Sequence, residues 1–146
     1  MAAIVVAGAL LLGGCSSSAA TAGSSTHDHA GSAAASADAA AGQIRLLEPA
    51  AFEAESAGRV LINVHIPDEG SLPGTTLDLP YDQVAARTAD LPSDKATALA
   101  IYCMSGNMSA TAGRDLLDLG YSDVVELDGG MQAWRSSGRT LLPAGS

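Results

Sequence analysis

The sequence predicts an α/β domain in which a parallel sheet of about five strands is flanked by helices on both faces. Short apolar runs alternate with helical patterns from residue 43 onward, and two of those runs, 60–64 and 98–102, are almost continuously apolar. Continuously apolar strands are typical of parallel sheets, because both faces of such sheets are covered. An apolar leader and a flexible linker precede this domain. The predicted segments are 1–14, 15–42 and 43–146.

The first elements of the domain are a strand, a helix and a second strand. Residues 44–47 form a short strand. The helix starts at Glu48, and Pro49 fits an early helical position because its missing N–H has no partner to lose there. Gly58 ends the helix, and the buried strand 60–64 follows.

A loop and two shorter elements come next. Prolines and glycines mark the loop at 66–76, and residues 77–79 form a short strand. We expect a helix over 81–89, with Asp82 near its positive end. A turn at 92–95 then leads into the next strand.

The second half of the domain continues the alternation of strands and helices. Gly120 occupies the place of a left-handed residue that ends a helix. Gly129 and Gly130 turn the chain into the last helix, which Gly138 closes. The predicted elements here are strand 98–102, helix 109–119, strand 124–127 and helix 131–137.

Composition excludes several classes of function. The chain has 7 basic and 16 acidic residues among 146, a net charge of −9, whereas nucleic acids and anionic lipid surfaces attract basic proteins. Only two cysteines, Cys15 and Cys103, are present, which excludes a disulfide-rich scaffold and a four-cysteine zinc site. We therefore expect no bound metal and no nucleic-acid partner.

The leader ends in Leu12-Gly13-Gly14-Cys15 and resembles the lipobox of bacterial lipoproteins. Its apolar run has the length of a signal-peptide core and is shorter than the roughly 20 residues that span a bilayer. The resemblance implies acylation of Cys15 and a lipid anchor on the extracytoplasmic side of a bacterial membrane, in the cell envelope. A fragment of a transmembrane helix and a chance apolar start are the alternatives, and no basic residue precedes Ile4.

The linker 15–42 consists mostly of Ser, Ala, Gly and Thr, the composition of a flexible tether. It contains His27-Asp28-His29, which could supply part of a metal site. Because no further ligand lies nearby in the sequence, we interpret these three side chains as solvated.

Cys103 is the candidate nucleophile, since it directly follows a buried strand and precedes a helix by about five residues. Loops at this place aim backbone N–H groups and the helix dipole into one concavity, which would stabilise a thiolate. The same residue could instead be an inert buried cysteine. The expected binding loop follows Cys103 and comprises Met104, Ser105, Gly106, Asn107, Met108 and Ser109.

This loop, together with flanking residues, resembles the C-terminal half of a rhodanese (sulfurtransferase) domain. The matching residues run in order: 102–109, Leu116, 119–121, Val124, Leu127, Gly129, Gly130, Ala133 and Trp134, and upstream 61–65, Pro73, Gly74, Leu79 and Pro80. The resemblance implies a rhodanese-like fold for 43–146. It also implies that Cys103 takes sulfane sulfur from a small donor as a persulfide and passes it to a thiol or to cyanide. No cofactor is implied, and we expect a monomer.

Two positions depart from the pattern of that family. Many thiosulfate-using members carry a basic residue where this chain has Met108, so we expect thiosulfate to be a poor donor compared with polysulfides or persulfides. Asn63-Val64-His65 replaces the usual Asp-any-Arg segment. His65 could face the site as a secondary residue, although we favour a hydrogen-bonded histidine that fixes the following loop.

Two other functions stay open at this point. The domain could be a non-catalytic sulfur carrier or an interaction module at the cell envelope that has only the fold of the family. A phosphatase or an arsenate reductase would need an Arg in the cysteine loop, and none is present between Cys103 and Ser109.

Overall fold

The computed structural model describes residues 42–145 and contains a five-stranded sheet with helices on both faces. The leader 1–14, Cys15 and nearly all of the linker lie outside the described residues. In chain order the elements are β1 (Ile44–Leu47), α1 (Pro49–Ser56), β2 (Val60–Asn63), β3 (Leu77–Asp78), a 3-10 helix (Thr88–Asp90), β4 (Leu99–Tyr102), α2 (Asn107–Asp118), β5 (Val124–Leu127) and α3 (Gly130–Ser136).

The five strands are all parallel and lie in the order β1-β5-β4-β2-β3. The predicted parallel α/β sheet is therefore confirmed. β4 is central, and every one of its residues is buried, as its apolar run predicts. Because parallel strands end at the same edge, the loops after β4 and β5 lie side by side.

Two clusters of buried side chains cover the two faces of the sheet. One contains Ile101, Val124 and the α2 residues Ala112 and Leu116. The other contains Val125 and side chains from α1 and α3, including Phe52, Met131 and Trp134. Alternating residues of β5 thus pack on opposite faces, as the period of two in a strand requires.

The predicted helix over 81–89 is wrong. Residues 81–86 form successive turns, in which the N–H of Gln83 donates to Pro80 O and that of Ala86 to Gln83 O, and a 3-10 helix follows. From 81 to 90 only Val84 is buried. A segment this short, without an apolar stripe to bury, gains too little from packing to stay α-helical.

The other predicted elements are confirmed within a residue or two. α2 begins at Asn107 rather than at Ser109. Gly120 follows its last turn with φ +94°, and the N–H groups of Gly120 and Tyr121 donate to Leu117 O and Leu116 O, the hydrogen bonds of a left-handed helix end. None of the helices within 42–145 has the length and apolarity that a membrane span requires.

Candidate active site

Cys103 is the first residue after β4, and its side chain is 1% exposed. The loop that follows returns the chain to the sulfur: the backbone N–H of Gly106 donates to Cys103 Sγ over 3.1 Å. Gly106 precedes α2 with φ +103°, a conformation that a side chain would strain. The sulfur therefore lies at the start of α2, where the helix dipole favours negative charge.

Ser109, in the first turn of α2, brings a hydroxyl to the same sulfur. Its Oγ lies 3.3 Å from Cys103 Sγ, and its side chain is fully buried. The hydroxyl can donate to Gly106 O over 3.0 Å or to Glu126 Oε1 over 2.6 Å. Since a hydroxyl carries one hydrogen, it satisfies only one of these acceptors at a time.

Glu126 is a buried carboxyl behind the cysteine, in the middle of β5 and 3% exposed. Burial raises the pKa of the Glu126 carboxyl above its ordinary value of 4.5, the hydrogen bond from Ser109 acts against that rise, and the Asp128 carboxylate adds to it. Glu126 is not among the predicted site residues, because the pattern of 124–127 indicates only a buried strand. A lone acidic residue inside that apolar run was the signal available.

We expect the stability of the protein to fall with rising pH because of Glu126. A raised carboxyl pKa means that the folded state holds the proton more tightly than the unfolded state, so stability is lost as the pH rises from about 4.5 through the folded-state value. Glu126→Gln removes this ionisation. Its melting temperature should exceed that of the wild type by several degrees at pH 8 to 9 and by less at pH 5. A difference in melting temperature between the variant and the wild type that stays the same from pH 5 to pH 9 would contradict the prediction.

The loop is braced from one side by the start of α3. The N–H groups of Met131 and Gln132 donate to Cys103 O and Met104 O over 2.8 and 3.0 Å. Gly130, with φ +58°, packs against the loop so closely that a Cβ there would lie 2.4 Å from Cys103 O. The free N–H groups of the first helical turn thus find their acceptors in the cysteine loop.

The remaining residues of the predicted binding loop differ in their exposure. Ser105 and Asn107 are exposed, whereas Met104 and Met108 are half-buried. Met108 packs against the α2 side of the core. Arg135, on the exposed side of α3, donates to Met104 Sδ over 3.7 Å. Arg135 is not among the predicted site residues, because it lies 31 residues from Met104 and only the packing of α3 against the loop brings the two together.

His65 lies two residues after the end of β2 and is hydrogen-bonded within the loop that follows. Its ring Nε2 is 2.7 Å from Glu69 Oε2, and its backbone N–H donates to Asn63 Oδ1 over 3.1 Å. Its Nδ1 is buried without a hydrogen-bond partner. These contacts agree with a histidine that fixes the loop after β2, and none of them reaches Cys103.

Within 42–145, no group of three or more His, Cys, Asp or Glu side chains is arranged to hold a metal ion. The groups that the structure brings together around Cys103 are its thiol, the Ser109 hydroxyl, the Glu126 carboxyl and the Gly106 amide. Cys15 and the segment His27-Asp28-His29 are outside the described residues.

Comparison with known proteins adds independent information. The family model described as a rhodanese-like domain matches residues 44–137. A protein named sulfurtransferase from Allochromatium vinosum is 33% identical over 86 residues, which are 57% of this chain and 78% of that protein. A protein named thiosulfate sulfurtransferase GlpE from Pseudomonas savastanoi pv. phaseolicola is 33% identical over 89 residues, 55% of this chain and 76% of that protein.

A solved structure gives the same result for the fold. The crystal structure of a rhodanese-related protein from Thermoplasma volcanium matches with a TM-score of 0.58 and 26% identity. The match covers 67% of this chain and 97% of that one. The part of this chain outside the match is about the size of the leader and linker together.

Proposed function

This chain belongs to the rhodanese-like domain family, and on that premise we propose that it is a sulfurtransferase that carries sulfane sulfur as a persulfide on Cys103. The relatives named sulfurtransferase support the reaction class. The observation that carries the proposal is the hydrogen bond from the Gly106 N–H to Cys103 Sγ at the start of α2. A donor aimed at the sulfur favours its anionic, nucleophilic form.

The transfer has two steps. Cys103 Sγ attacks the outer sulfur of a donor of the type R–S–S⁻, forming a new S–S bond while the donor's S–S bond breaks and its electron pair leaves with RS⁻. The terminal sulfur of the Cys103 persulfide is then attacked by a thiolate or by cyanide, and Sγ leaves as the thiolate. No external oxidant or reductant enters, because the broken S–S bond is replaced by another S–S bond or, when cyanide is the acceptor, by the C–S bond of thiocyanate.

The loop around Cys103 supports a donor of low charge. No Lys or Arg lies between Cys103 and Ser109, and Met108 occupies the place where many thiosulfate-using relatives carry a cation. Arg135 contacts Met104 from the outside and is exposed, so water screens its charge. Because Cys103 is 1% exposed, the part of the donor that reaches the sulfur must also be narrow. Polysulfides and low-molecular-weight persulfides fit both conditions.

Intact-mass analysis tests the proposal directly. The full chain is incubated with polysulfide, a glutathione persulfide or thiosulfate, and the mass of one added sulfur is located on Cys103. We expect loading by the first two donors and weak loading by thiosulfate. If no donor adds sulfur to Cys103, the alternative of a non-catalytic carrier or interaction module replaces the enzyme.

Met108→Arg should improve the use of thiosulfate. The new guanidinium would face the sulfonate oxygens of the donor, and one charge-assisted hydrogen bond contributes about 1.5–3 kcal/mol. We expect KM for thiosulfate to fall roughly tenfold to a hundredfold, as measured by steady-state turnover with cyanide. Ala110→Arg adds the same charge at an exposed position of α2 and should change KM little. The account of the loop charge is wrong if thiosulfate is already the best donor of the wild type.

We further propose that the domain is tethered to a bacterial membrane through lipid on Cys15. The leader that ends in Leu12-Gly13-Gly14-Cys15 supports this location. Mass spectrometry of the membrane fraction of the native host should show a mature chain that begins with a diacylated Cys15, and Cys15→Ser should release the domain from that fraction. An unlipidated soluble product, or one that retains Met1, would contradict the proposal.

A further inference from the structure

A buried chain of three polar side chains runs from the reactive sulfur into the sheet. Cys103 Sγ lies 3.3 Å from Ser109 Oγ, and Ser109 Oγ lies 2.6 Å from Glu126 Oε1. All three residues are at most 3% exposed. The proposed sulfur transfer uses the cysteine and gives no role to the hydroxyl or the carboxyl.

We propose that Glu126 is a positioning residue that exchanges a proton with Cys103 through the Ser109 hydroxyl, so that the buried site holds one negative charge on either the carboxylate or the sulfur. The inference rests on the proposed function, because it concerns the charge of the sulfur that would carry out the transfer. Glu126 does not touch the reacting atoms and acts only through Ser109.

The proton shift balances without any further group. When the charge is on Glu126, the Ser109 hydroxyl donates to the carboxylate and the Cys103 thiol keeps its proton. When the charge moves to the sulfur, the thiol proton passes to Ser109 Oγ while the hydrogen of Ser109 passes to Glu126 Oε1. The neutral carboxyl then donates to Ser109 Oγ, and the Ser109 hydroxyl donates to Sγ.

Two negative charges one hydroxyl apart in a buried site repel each other strongly, so the two groups resist ionising together. Burial raises the pKa of Glu126 and so favours the protonated carboxyl that this exchange requires. The same arrangement suits the persulfide, which is anionic and would be destabilised by a carboxylate directly behind it. Among residues 42–145, Ser109 supplies the one side-chain hydrogen bond to Glu126, and no Lys or Arg pairs with it.

Few other charges surround Glu126. Its partners on the neighbouring strands β1 and β4 are Leu46 and Ile101, which carry no charge. On α2, which covers this face, the charged residues Arg114, Asp115 and Asp118 lie more than one turn beyond Ser109. Asp128, an exposed residue directly after β5, carries the other carboxylate that influences the pKa of Glu126.

The rate at which Cys103 reacts with iodoacetamide between pH 5 and 10 tests the proposal, since only the thiolate is alkylated. The full chain is used, and the peptide that contains Cys103 is quantified by mass spectrometry, which separates it from Cys15. If the charge is shared, the wild-type rate rises in two steps at least about one pH unit apart, with the intermediate plateau near half of the final rate when sharing is equal.

Glu126→Gln should convert this profile into a single step and react about twofold faster than the wild type between the two steps. Asp128→Asn removes a nearby negative charge without touching Ser109 and should keep both steps. Superimposable profiles of the wild type and Glu126→Gln would overturn the proposal, and so would a single step in Asp128→Asn.

A second measurement does not depend on the folding of a Glu126 variant. The carboxyl carbon of Glu126, followed by NMR, should titrate in two steps in the wild type and in one step in Cys103→Ala. A single, identical step in both would overturn the proton exchange. Alkylation and NMR need no sulfur donor, so they test the proton exchange separately from the sulfur transfer. If the proton exchange is refuted, Cys103 should still take up sulfur. If Cys103 takes up no sulfur, the two-step profile should still be seen.

Discussion

Cys103→Ser should lose sulfur transfer completely, because the serine side chain has no sulfur with which to form a persulfide. The substitution changes one atom in a buried site. The new serine oxygen can still accept a hydrogen bond from the Gly106 N–H and contact Ser109 Oγ, as Sγ does. We therefore expect a folded protein whose melting temperature is close to that of the wild type. Its intact mass should stay unchanged after incubation with polysulfide.

The matched control for this prediction is Cys15→Ser, which removes the other cysteine of the chain. It should take up one sulfur on Cys103 as the wild type does. Uptake by Cys103→Ser at the wild-type level would assign the chemistry to Cys15 or to nonspecific oxidation. The catalytic role of Cys103 would then be refuted.

Gly130→Ala should produce the largest combined loss of stability and activity. The added Cβ would lie 2.4 Å from Cys103 O and 2.7 Å from Ser105 N, both of them backbone atoms, and φ at this position is +58°. Either α3 or the cysteine loop must therefore move. We expect the free energy of unfolding to fall by about 3 kcal/mol, of which left-handed strain accounts for about 1–2 kcal/mol. Turnover should fall about a hundredfold, because a displacement near 1 Å misplaces the sulfur.

Gly138→Ala is the control that distinguishes backbone strain at a positive φ from the steric clash expected in Gly130→Ala. Gly138 also has a positive φ, +84°, but no atom lies within 4 Å of where its Cβ would be. It should show only the strain, about 1–2 kcal/mol in chemical denaturation, with normal transfer of sulfur. Equal losses of activity in the two variants would mean that the contact between Gly130 and the loop does not position Cys103.

The sheet and the position of the cysteine could be predicted because their signals are local. The continuous apolar run of β4 indicates burial on both faces, and the cysteine that follows it must lie at the carboxyl edge of the sheet. The predicted helix over 81–89 was wrong because it rested on local propensity. Only Val84 is buried from 81 to 90, so packing adds too little to stabilise a short helix there.

Glu126 and Arg135 show the limit of prediction for the site. Each lies in an element whose local pattern is ordinary, a buried strand and a short helix. Their relation to the cysteine loop depends on the pairing of β4 with β5 and on the docking of α3 against Cys103 and Met104. A single sequence contains no direct signal for these long-range contacts, although an acidic residue inside an apolar strand points to a polar partner.

The bracing of the cysteine loop by α3 has a consequence for how this site can diverge. The two hydrogen bonds from Met131 and Gln132 join main-chain atoms to main-chain atoms, so they do not depend on which side chains Met104 and Met108 carry. The backbone conformation of the loop is thereby set independently of the side chains that would contact a donor. Substitution at the rim can retune the choice of donor one residue at a time while the nucleophile keeps its place, so new specificities are reachable by single mutations without an unfolded or inactive intermediate.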